Sequence, residues 1–168
     1  MSAPIVNRIA NSTLQVIDLE ELYQDGTRTL LDLTDFLDEG ILLREQSFRE
    51  RLQKHDWHTY QDHFVAVYCP EDIIIPQWAT LLIVPYLQPK CKAVVVGSLA
   101  DLERQLFAEK LFAFDVSPYQ DGLVMIKGCA NKPVPEQALG LLAAKLTPIV
   151  KKLSYGEACS SVPLYRRK

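Results

Sequence analysis

A run of four apolar residues, Leu123 to Ile126, constrains the fold of this chain most strongly. Successive side chains of a β-strand point to opposite faces of a sheet, so a strand that is apolar at every position must be covered on both faces. The run ends at Lys127-Gly128-Cys129, and a helical segment follows from Glu136 to about Leu153. A buried strand that leads into a helix predicts an α/β fold.

Two similar strands precede this one, and each leads into a helical segment. Phe64 to Tyr68 and Ala93 to Val96 are apolar runs of strand length. The segment from Pro76 to Leu87 is predicted to be a helix, and so is the segment after Ser98, which Ser98 and Asp101 would cap together. We therefore expect a mainly parallel or mixed sheet with helices on both faces, a three-layer α/β sandwich.

The length of 168 residues fits one domain with a single core. We expect a single α/β domain over residues 1–168, with an N-terminal edge segment of about residues 1–27 that includes a strand near Leu14 to Leu19. Ser47 to Lys54 is predicted to be a helix capped by Ser47. Residues from about 155 to 168 show neither helical nor strand periodicity, so we expect an extended C-terminal arm.

The amino-acid composition bears on the cellular compartment of the protein and on whether it binds nucleic acid or membranes. The chain is 48% hydrophobic and 23% charged with a formal net charge of -3, which is typical of a globular protein and gives no electrostatic footprint for nucleic acid or an anionic membrane. Its apolar runs are too short or too interrupted for a membrane span, which needs about 20 residues. The first residues do not resemble a signal peptide, and four cysteines are too few for a disulfide scaffold. We expect a cytoplasmic protein with reduced thiols.

Several polar or reactive residues follow the predicted strands. Ligands of open α/β sheets bind beyond the carboxyl ends of the strands, where helix N-termini also point. Cys129 follows the last strand beside Lys127, and these two residues are the candidate catalytic pair. The candidate ligand-binding residues at this edge are Cys69, Ser98, Asn131 and Lys132.

The thiols at this edge have two interpretations. A neighbouring lysine and a helix N-terminus both lower the pKa of a cysteine, so Cys129 is a candidate nucleophile, and Cys69 with Cys129 is a candidate pair of metal ligands. The alternative is that each cysteine is a small hydrophobic residue that closes a strand, because free cysteine is among the most buried residue types.

A second group of metal-capable residues is expected at the opposite edge of the sheet. Its members are His55, His58, His63, Cys91 and Cys159. Imidazole and thiolate ligands suit iron or zinc. No C-x-x-C or H-E-x-x-H spacing joins these residues, and scattered histidines usually make loop hydrogen bonds, which is the alternative here.

Three functions follow from these residues. The sequence has no glycine-rich dinucleotide or phosphate loop and no G-x-S-x-G elbow, so dinucleotide, P-loop and hydrolase functions lack support. The first function is an accessory protein whose thiols bind a protein partner, iron or a cluster. The second is an enzyme with a nucleophilic Cys129, assisted by Lys127, that transfers sulfur or acyl groups. The third is a structural homodimer in which a sheet edge or the tail pairs two chains.

Several segments together resemble the bacterial domain-of-unknown-function family 2480. They are VNRIANSTLQVIDLEELY, ILLREQSFRE, HDWHTYQDHFVAVYC, IIIPQWA, IKGCANKPVP and the terminal SYGEACSSVPLYRRK. The resemblance spans essentially the whole chain, and Lys127 to Pro135 and Tyr155 to Tyr165 are its most specific parts. It implies no established activity or cofactor. It does imply genomic association with cytosolic iron-sulfur cluster assembly, in which Cys129 and Cys159 would carry sulfur or bind iron.

Overall fold

The chain folds into two compact units of α/β structure. A computed structural model describes residues 14–127, 131–157 and 160–168. Unit 1 comprises the described parts of Met1–Tyr23 and Leu106–Lys168, and unit 2 is Gln24–Gln105. No helix in these described ranges is both long and apolar enough to span a bilayer.

Helices and strands alternate along most of the chain. The helices are α1 (Glu45–Lys54), α2 (Gln77–Leu87), α3 (Leu99–Ala113) and α4 (Glu136–Leu146). The strands are β1 (Leu14–Asp18), β2 (Arg28–Asp32), β3 (Phe64–Tyr68), β4 (Ala93–Val96), β5 (Leu123–Lys127), β6 (Lys152–Glu157) and β7 (Ser160–Arg166). Short 3₁₀ turns follow β1 at Leu19–Leu22 and β2 at Leu33–Phe36.

Unit 2 contains a three-stranded parallel sheet in the order β2-β3-β4. One face of this sheet carries Leu31, Val65 and Val67, which belong to a single buried cluster with residues of α1 and α2. The helical members of the cluster are Phe48, Leu52, Ala79, Ile83 and Leu87. Their spacing of four residues gives each helix one apolar face, so burial of that face against the sheet forms the core.

Unit 1 contains a four-stranded sheet in the order β1-β5-β6-β7. The first three strands are parallel, and β7 is antiparallel to β6. The core of this unit joins strand residues to α3 and α4 in the same way. It includes Ile17, Val124, Ile126 and Leu153 from the strands with Phe107, Leu111, Ala138, Leu142 and Leu146 from the helices.

The α/β class and the mainly parallel pairing agree with the sequence prediction. The strands, however, are divided between two sheets, whereas the sequence suggested one. The Ser98 cap is also confirmed, since the Asp101 amide donates to Ser98 Oγ at 3.2 Å and the Ser98 amide donates to Asp101 Oδ2 at 2.8 Å.

The end of the last helix and the Ser47 cap were predicted wrongly, and the predicted extended C-terminal arm contains strands. The last helix ends at Leu146 instead of near Leu153, because Pro148 follows its last turn and residues 152–157 pair with β5. The predicted C-terminal arm forms the end of β6 and all of β7, where exposure at nearly every position hides the strand period. Helix α1 begins at Glu45, and the Ser47 hydroxyl donates to Asp38 Oδ2 at 2.9 Å instead of capping the helix.

The two units repeat the same structure at a constant offset of 59 residues, the separation of Phe64 and Leu123 at the starts of β3 and β5. The offset also relates the starts of α2 and α4 and the starts of β4 and β6. Buried residues correspond as well, and the equivalent pairs are Phe48 and Phe107, Leu52 and Leu111, Ala79 and Ala138, Ile83 and Leu142, and Leu87 and Leu146.

Turns between the elements are repeated too. The tripeptide Tyr-Gln-Asp occurs at residues 60–62 and 119–121, and both aspartates have positive φ, 61° and 54°. The Asp62 amide donates to the Lys90 carbonyl at 3.0 Å, and the Asp121 amide donates to the Ile149 carbonyl at 2.8 Å. The sequence therefore carries an internal repeat, and this tripeptide is the signal that would have revealed it.

The first strands of the two units, β1 and β2, are equivalent, but the offset of 59 residues that relates the other elements does not relate these two strands. Strands β1 and β2 lie next to each other in sequence, yet β1 pairs with β5 and β2 pairs with β3. Asp18 and Asp32 end these strands, and each accepts a hydrogen bond from the amide two residues later, at 3.0 and 2.9 Å. Along the sequence, unit 2 is therefore one continuous segment, and unit 1 is formed by the residues that precede and follow it.

We expect Phe107→Ala to lower the free energy of unfolding by about 3–5 kcal/mol, because it would leave a cavity in the core of unit 1. Phe112→Ala is the matched control on the same helix, since Phe112 is 90% exposed and Phe107 is 2% exposed. The control should stay within about 0.5 kcal/mol of the unsubstituted protein in urea denaturation. Equal losses in the two variants would contradict the assigned core.

Candidate functional site

Strands β1 and β5 end side by side at an ion pair. Asp18 and Lys127 are partners in the strand register, and Lys127 Nζ donates to Asp18 Oδ2 at 2.6 Å. This hydrogen bond and the charge of Asp18 raise the pKa of Lys127 above its ordinary value, and Glu157 and Glu20 add to the effect. Lys127 is therefore a protonated cation near neutral pH and does not serve as a general base there.

A second set of contacts joins the 3₁₀ turn after β1 to the chain beyond β5. The Asn131 amide donates to Glu20 Oε1 at 2.8 Å, and Asn131 Nδ2 donates to Glu20 Oε2 at 3.4 Å. Lys132 Nζ lies 4.6 Å from the centroid of the Tyr23 ring, which is a cation–π contact. Asn131 and Lys132, two of the predicted ligand-binding residues, therefore lie at the same edge of unit 1 as Lys127.

Cys129 and Cys159 lie outside the described residues, but their neighbours in the chain are described. Lys127 and Asn131 border the segment that contains Cys129. Glu157 is the last residue of β6 and Ser160 is the first residue of β7, and the two are partners in the strand register on either side of the segment that contains Cys159. Because β5 and β6 are adjacent and parallel, both cysteines follow the carboxyl ends of neighbouring strands.

The sequence prediction groups Cys159 with the residues of the opposite edge, and Cys159 itself lies outside the described residues. That grouping depends on a helix that runs to about Leu153 and leads directly into the arm. In the structure, the chain turns after Leu146 and returns through β6, so Glu157 is at the carboxyl edge of the sheet. The ends of β1 and β6 also bring Asp18, Glu20 and Glu157 to this edge, and sequence reasoning missed all three.

The carboxyl edge of unit 2 carries Cys69 and Ser98. Cys69 is half-buried against the core of unit 2, and burial together with the charges of Asp32 and Asp72 raises the pKa of its thiol. The Ser98 hydroxyl donates to Asp101 Oδ2 at 2.6 Å in the helix cap, so its hydrogen bond has a structural role. These two candidates belong to unit 2, whereas Lys127, Asn131 and Lys132 belong to unit 1.

The histidines proposed for a second metal site have other contacts. His55 Nε2 lies 3.2 Å from the Tyr60 hydroxyl, and His63 Nδ1 lies 3.0 Å from Thr29 Oγ1. His58 is exposed on a 3₁₀ turn, and Cys91 is half-buried with a pKa raised by burial. Within the described part of the chain, no three or more His, Cys, Asp or Glu side chains are grouped so that they could hold a metal ion.

A comparison of equivalent positions in the two units distinguishes residues that the fold requires from residues that it does not require. Both units keep the aspartate that caps the turn after the first strand, Asp18 in one and Asp32 in the other. The other polar residues of the unit 1 edge are replaced at the equivalent positions of unit 2. Glu20, Lys127, Asn131 and Lys132 correspond to Thr34, Tyr68, Asp72 and Ile73. The strand pairing and the 3₁₀ turn after the first strand form with either set, so the four polar residues of unit 1 are candidates for function.

We expect Asp72→Asn to speed the alkylation of Cys69 by iodoacetamide at pH 8, because loss of a nearby negative charge lowers the pKa of the thiol. The unsubstituted Cys69 should react slowly below about pH 9, since only the thiolate is nucleophilic. Peptide mass spectrometry over a pH series would measure both rates. Glu71→Gln, a change at the adjacent exposed residue, is the control, and an equal increase in that variant would argue against a specific effect of Asp72.

No curated protein and no solved structure matches the chain. A family described as "Protein of unknown function (DUF2480)" matches residues 3–167. The match covers nearly the whole chain, and the chain therefore belongs to this family.

Proposed function

We propose that this protein is an accessory protein that presents two thiols, those of Cys129 and Cys159, to iron or zinc and to a protein partner. The proposed site is the carboxyl edge of the sheet in unit 1. Association with iron-sulfur cluster assembly is the setting in which such a site would act. The metal is cargo in this proposal, and a partner protein supplies or receives it.

The observation that carries this proposal is the position of the strands that lead to the two cysteines. Strands β5 and β6 pair in parallel, and neighbouring strands are about 4.8 Å apart. Each cysteine is two residues beyond the last residue of its strand, Lys127 or Glu157. Two thiolates make up half of a four-coordinate zinc or iron-sulfur site, so ligands from a partner would complete it.

The charges at this edge favour a bound cation over a reactive thiolate. Asp18 pairs with Lys127, and the charges of Glu157 and Glu20 also contribute to the raised pKa of this lysine, so carboxylates outnumber ammonium groups among these four residues. Carboxylates attract a metal ion and disfavour an unbound thiolate. The alternative function, an enzyme with a nucleophilic Cys129, is therefore less well supported, since its expected helper Lys127 is paired with Asp18.

Pairing of two chains through β7 is also less well supported. Pro163 lies within this outer strand and has no amide donor, and the register between β6 and β7 is irregular at Leu153 and Ser154. Proline and bulges are features that prevent edge-to-edge pairing of sheets. These features disfavour the addition of a strand from a second copy at this edge, so the homodimer has less support than the accessory protein.

We expect the reduced, metal-free protein to bind Co²⁺, used as a spectroscopic substitute for zinc, and to show thiolate-to-cobalt charge-transfer absorption. Cys129→Ser and Cys159→Ser should each weaken binding at least about tenfold, because the loss of one of two thiolates removes half of the protein's soft ligands. Optical titration under anaerobic conditions would measure the affinities.

Cys91→Ser is the matched control, because Cys91 is half-buried in unit 2 and is not part of the proposed site. It should titrate like the unsubstituted protein. Absence of charge-transfer absorption, or equal binding by all three variants, would contradict the proposal. Rapid alkylation of Cys129 with an apparent pKa well below about 8.5 would then favour the enzyme.

We expect the metal-free protein to be a monomer of 19.0 kDa by light scattering after size exclusion. The physical reason is the proline in the outer strand of the unit 1 sheet. A mass of twice that value at micromolar concentration would favour the homodimer instead.

A further inference from the structure

Four basic residues lie together at the amino edge of the unit 1 sheet, where β6 begins and β7 ends. Lys152 and Arg166 are partners in the antiparallel register of these strands. The residues next to them, Lys151 and Arg167, are joined by a hydrogen bond of 3.0 Å from the Arg167 amide to the Lys151 carbonyl. We call these four residues the basic edge. Lys151, Lys152 and Arg166 are exposed, and Arg167 is partly exposed.

The basic edge has an excess of positive charge. Arg167 pairs with Asp121. Within the described part of the chain, Lys151, Lys152 and Arg166 form no ion pair. The whole chain has a formal net charge of -3, so this excess does not follow from the overall composition. The pairing of β6 with β7 produces it, because that pairing brings residues 151–152 to residues 166–167.

The fold does not require these charges, as a comparison with unit 2 shows. Lys152 corresponds to Ala93 at the offset of 59 residues, and the sheet of unit 2 ends at β4 with no counterpart of Arg166. Both units nevertheless form the same parallel strand pairs. Like charges that lie directly opposite each other destabilise a strand pair. Lys152 and Arg166 therefore have no evident structural benefit and are candidates for binding.

The chemistry of the basic edge favours carboxylates of a protein over nucleic acid or lipid. A guanidinium group binds a carboxylate through two parallel hydrogen bonds, and a lysine adds a point charge. Proteins that bind single-stranded nucleic acid also offer aromatic rings for base stacking, but Tyr165, which precedes Arg166, packs against the core of unit 1. An anionic membrane attracts clustered cations and repels the net negative charge of this chain.

We propose that the basic edge is an interaction surface for an acidic segment of a partner protein, with Lys152 and Arg166 as its main contacts. Strand β6 runs from Lys152 to Glu157, and this length of strand spans about 17 Å. The basic edge therefore lies at the opposite end of β6 from the edge to which the proposed function is assigned. The inference goes beyond that function and involves no thiol.

The test uses the full, metal-free chain with an octaglutamate peptide as the probe, and fluorescence anisotropy measures binding at about 50 mM salt. The double variant Lys152→Gln with Arg166→Gln should bind at least about fivefold more weakly, because it removes two of the four cations. The matched control is Lys54→Gln with Lys110→Gln, which removes the same charge from two exposed lysines elsewhere. The control should keep the affinity of the unsubstituted protein within about twofold.

The thermal midpoint of the Lys152 and Arg166 double variant shows whether it folds. The midpoint should not fall, because the substitutions remove a pair of like charges. Equal affinities of the two double variants, or no binding of the peptide by the unsubstituted protein, would overturn the proposal. A thymidine octanucleotide that binds more tightly than the peptide would overturn it in favour of nucleic acid. Binding to phosphatidylserine vesicles that only the Lys152 and Arg166 double variant loses, without binding of the peptide, would overturn it in favour of a membrane.

Discussion

Parallel pairing of β1 with β5 is the constraint on which unit 1 and its site depend. It joins Leu14–Asp18 to Leu123–Lys127, more than a hundred residues later in the chain. Closing a connection of that length costs entropy that only burial on the faces of the strands offsets, and Ile17, Val124 and Ile126 are buried in the same cluster. The same pairing places Asp18 beside Lys127 and brings Glu20 to Asn131. Unit 1 and the candidate site therefore form together.

Unit 2 provides an internal comparison for the described residues of that site. The equivalent units keep their buried side chains, such as Phe48 and Phe107, because a change of volume in a packed core is costly. They also keep the aspartates that cap the first turn, since buried or strained turns need their amides satisfied. The unit 1 residues that differ at the carboxyl edge, Glu20, Lys127, Asn131 and Lys132, are polar and at least partly exposed. A sequence repeat thus separates structural from functional candidates without any other protein for comparison.

The chemistry of the edge follows from the balance of charge around Lys127. A lysine beside a cysteine suggests an activated nucleophile when only the sequence is considered, because a cation lowers the pKa of a thiol. In the fold, Asp18 pairs with that lysine, and the charges of Glu157 and Glu20 add to the rise of its pKa, so Lys127 is already paired with a carboxylate. Cys69 in unit 2 has carboxylates near it as well, and its pKa is raised. The pairing of Lys127 with a carboxylate is the reason for proposing an accessory function and not an enzyme with an activated cysteine.

Sequence alone determined the α/β class, the buried strands β3 and β5 and the cap at Ser98, because apolar runs and capping pairs are local features. It also identified Lys127, Asn131 and Lys132 as residues of one edge, since each follows the same strand. Only the tertiary structure decided that the strands form two sheets, that β6 returns Glu157 to the edge of β5, and that Asp18 and Glu20 join it. These features depend on which strands pair with each other over long distances in the sequence. The pairing is formed by backbone hydrogen bonds, which every residue type except proline can make, so the amino-acid sequence does not show which strands are partners.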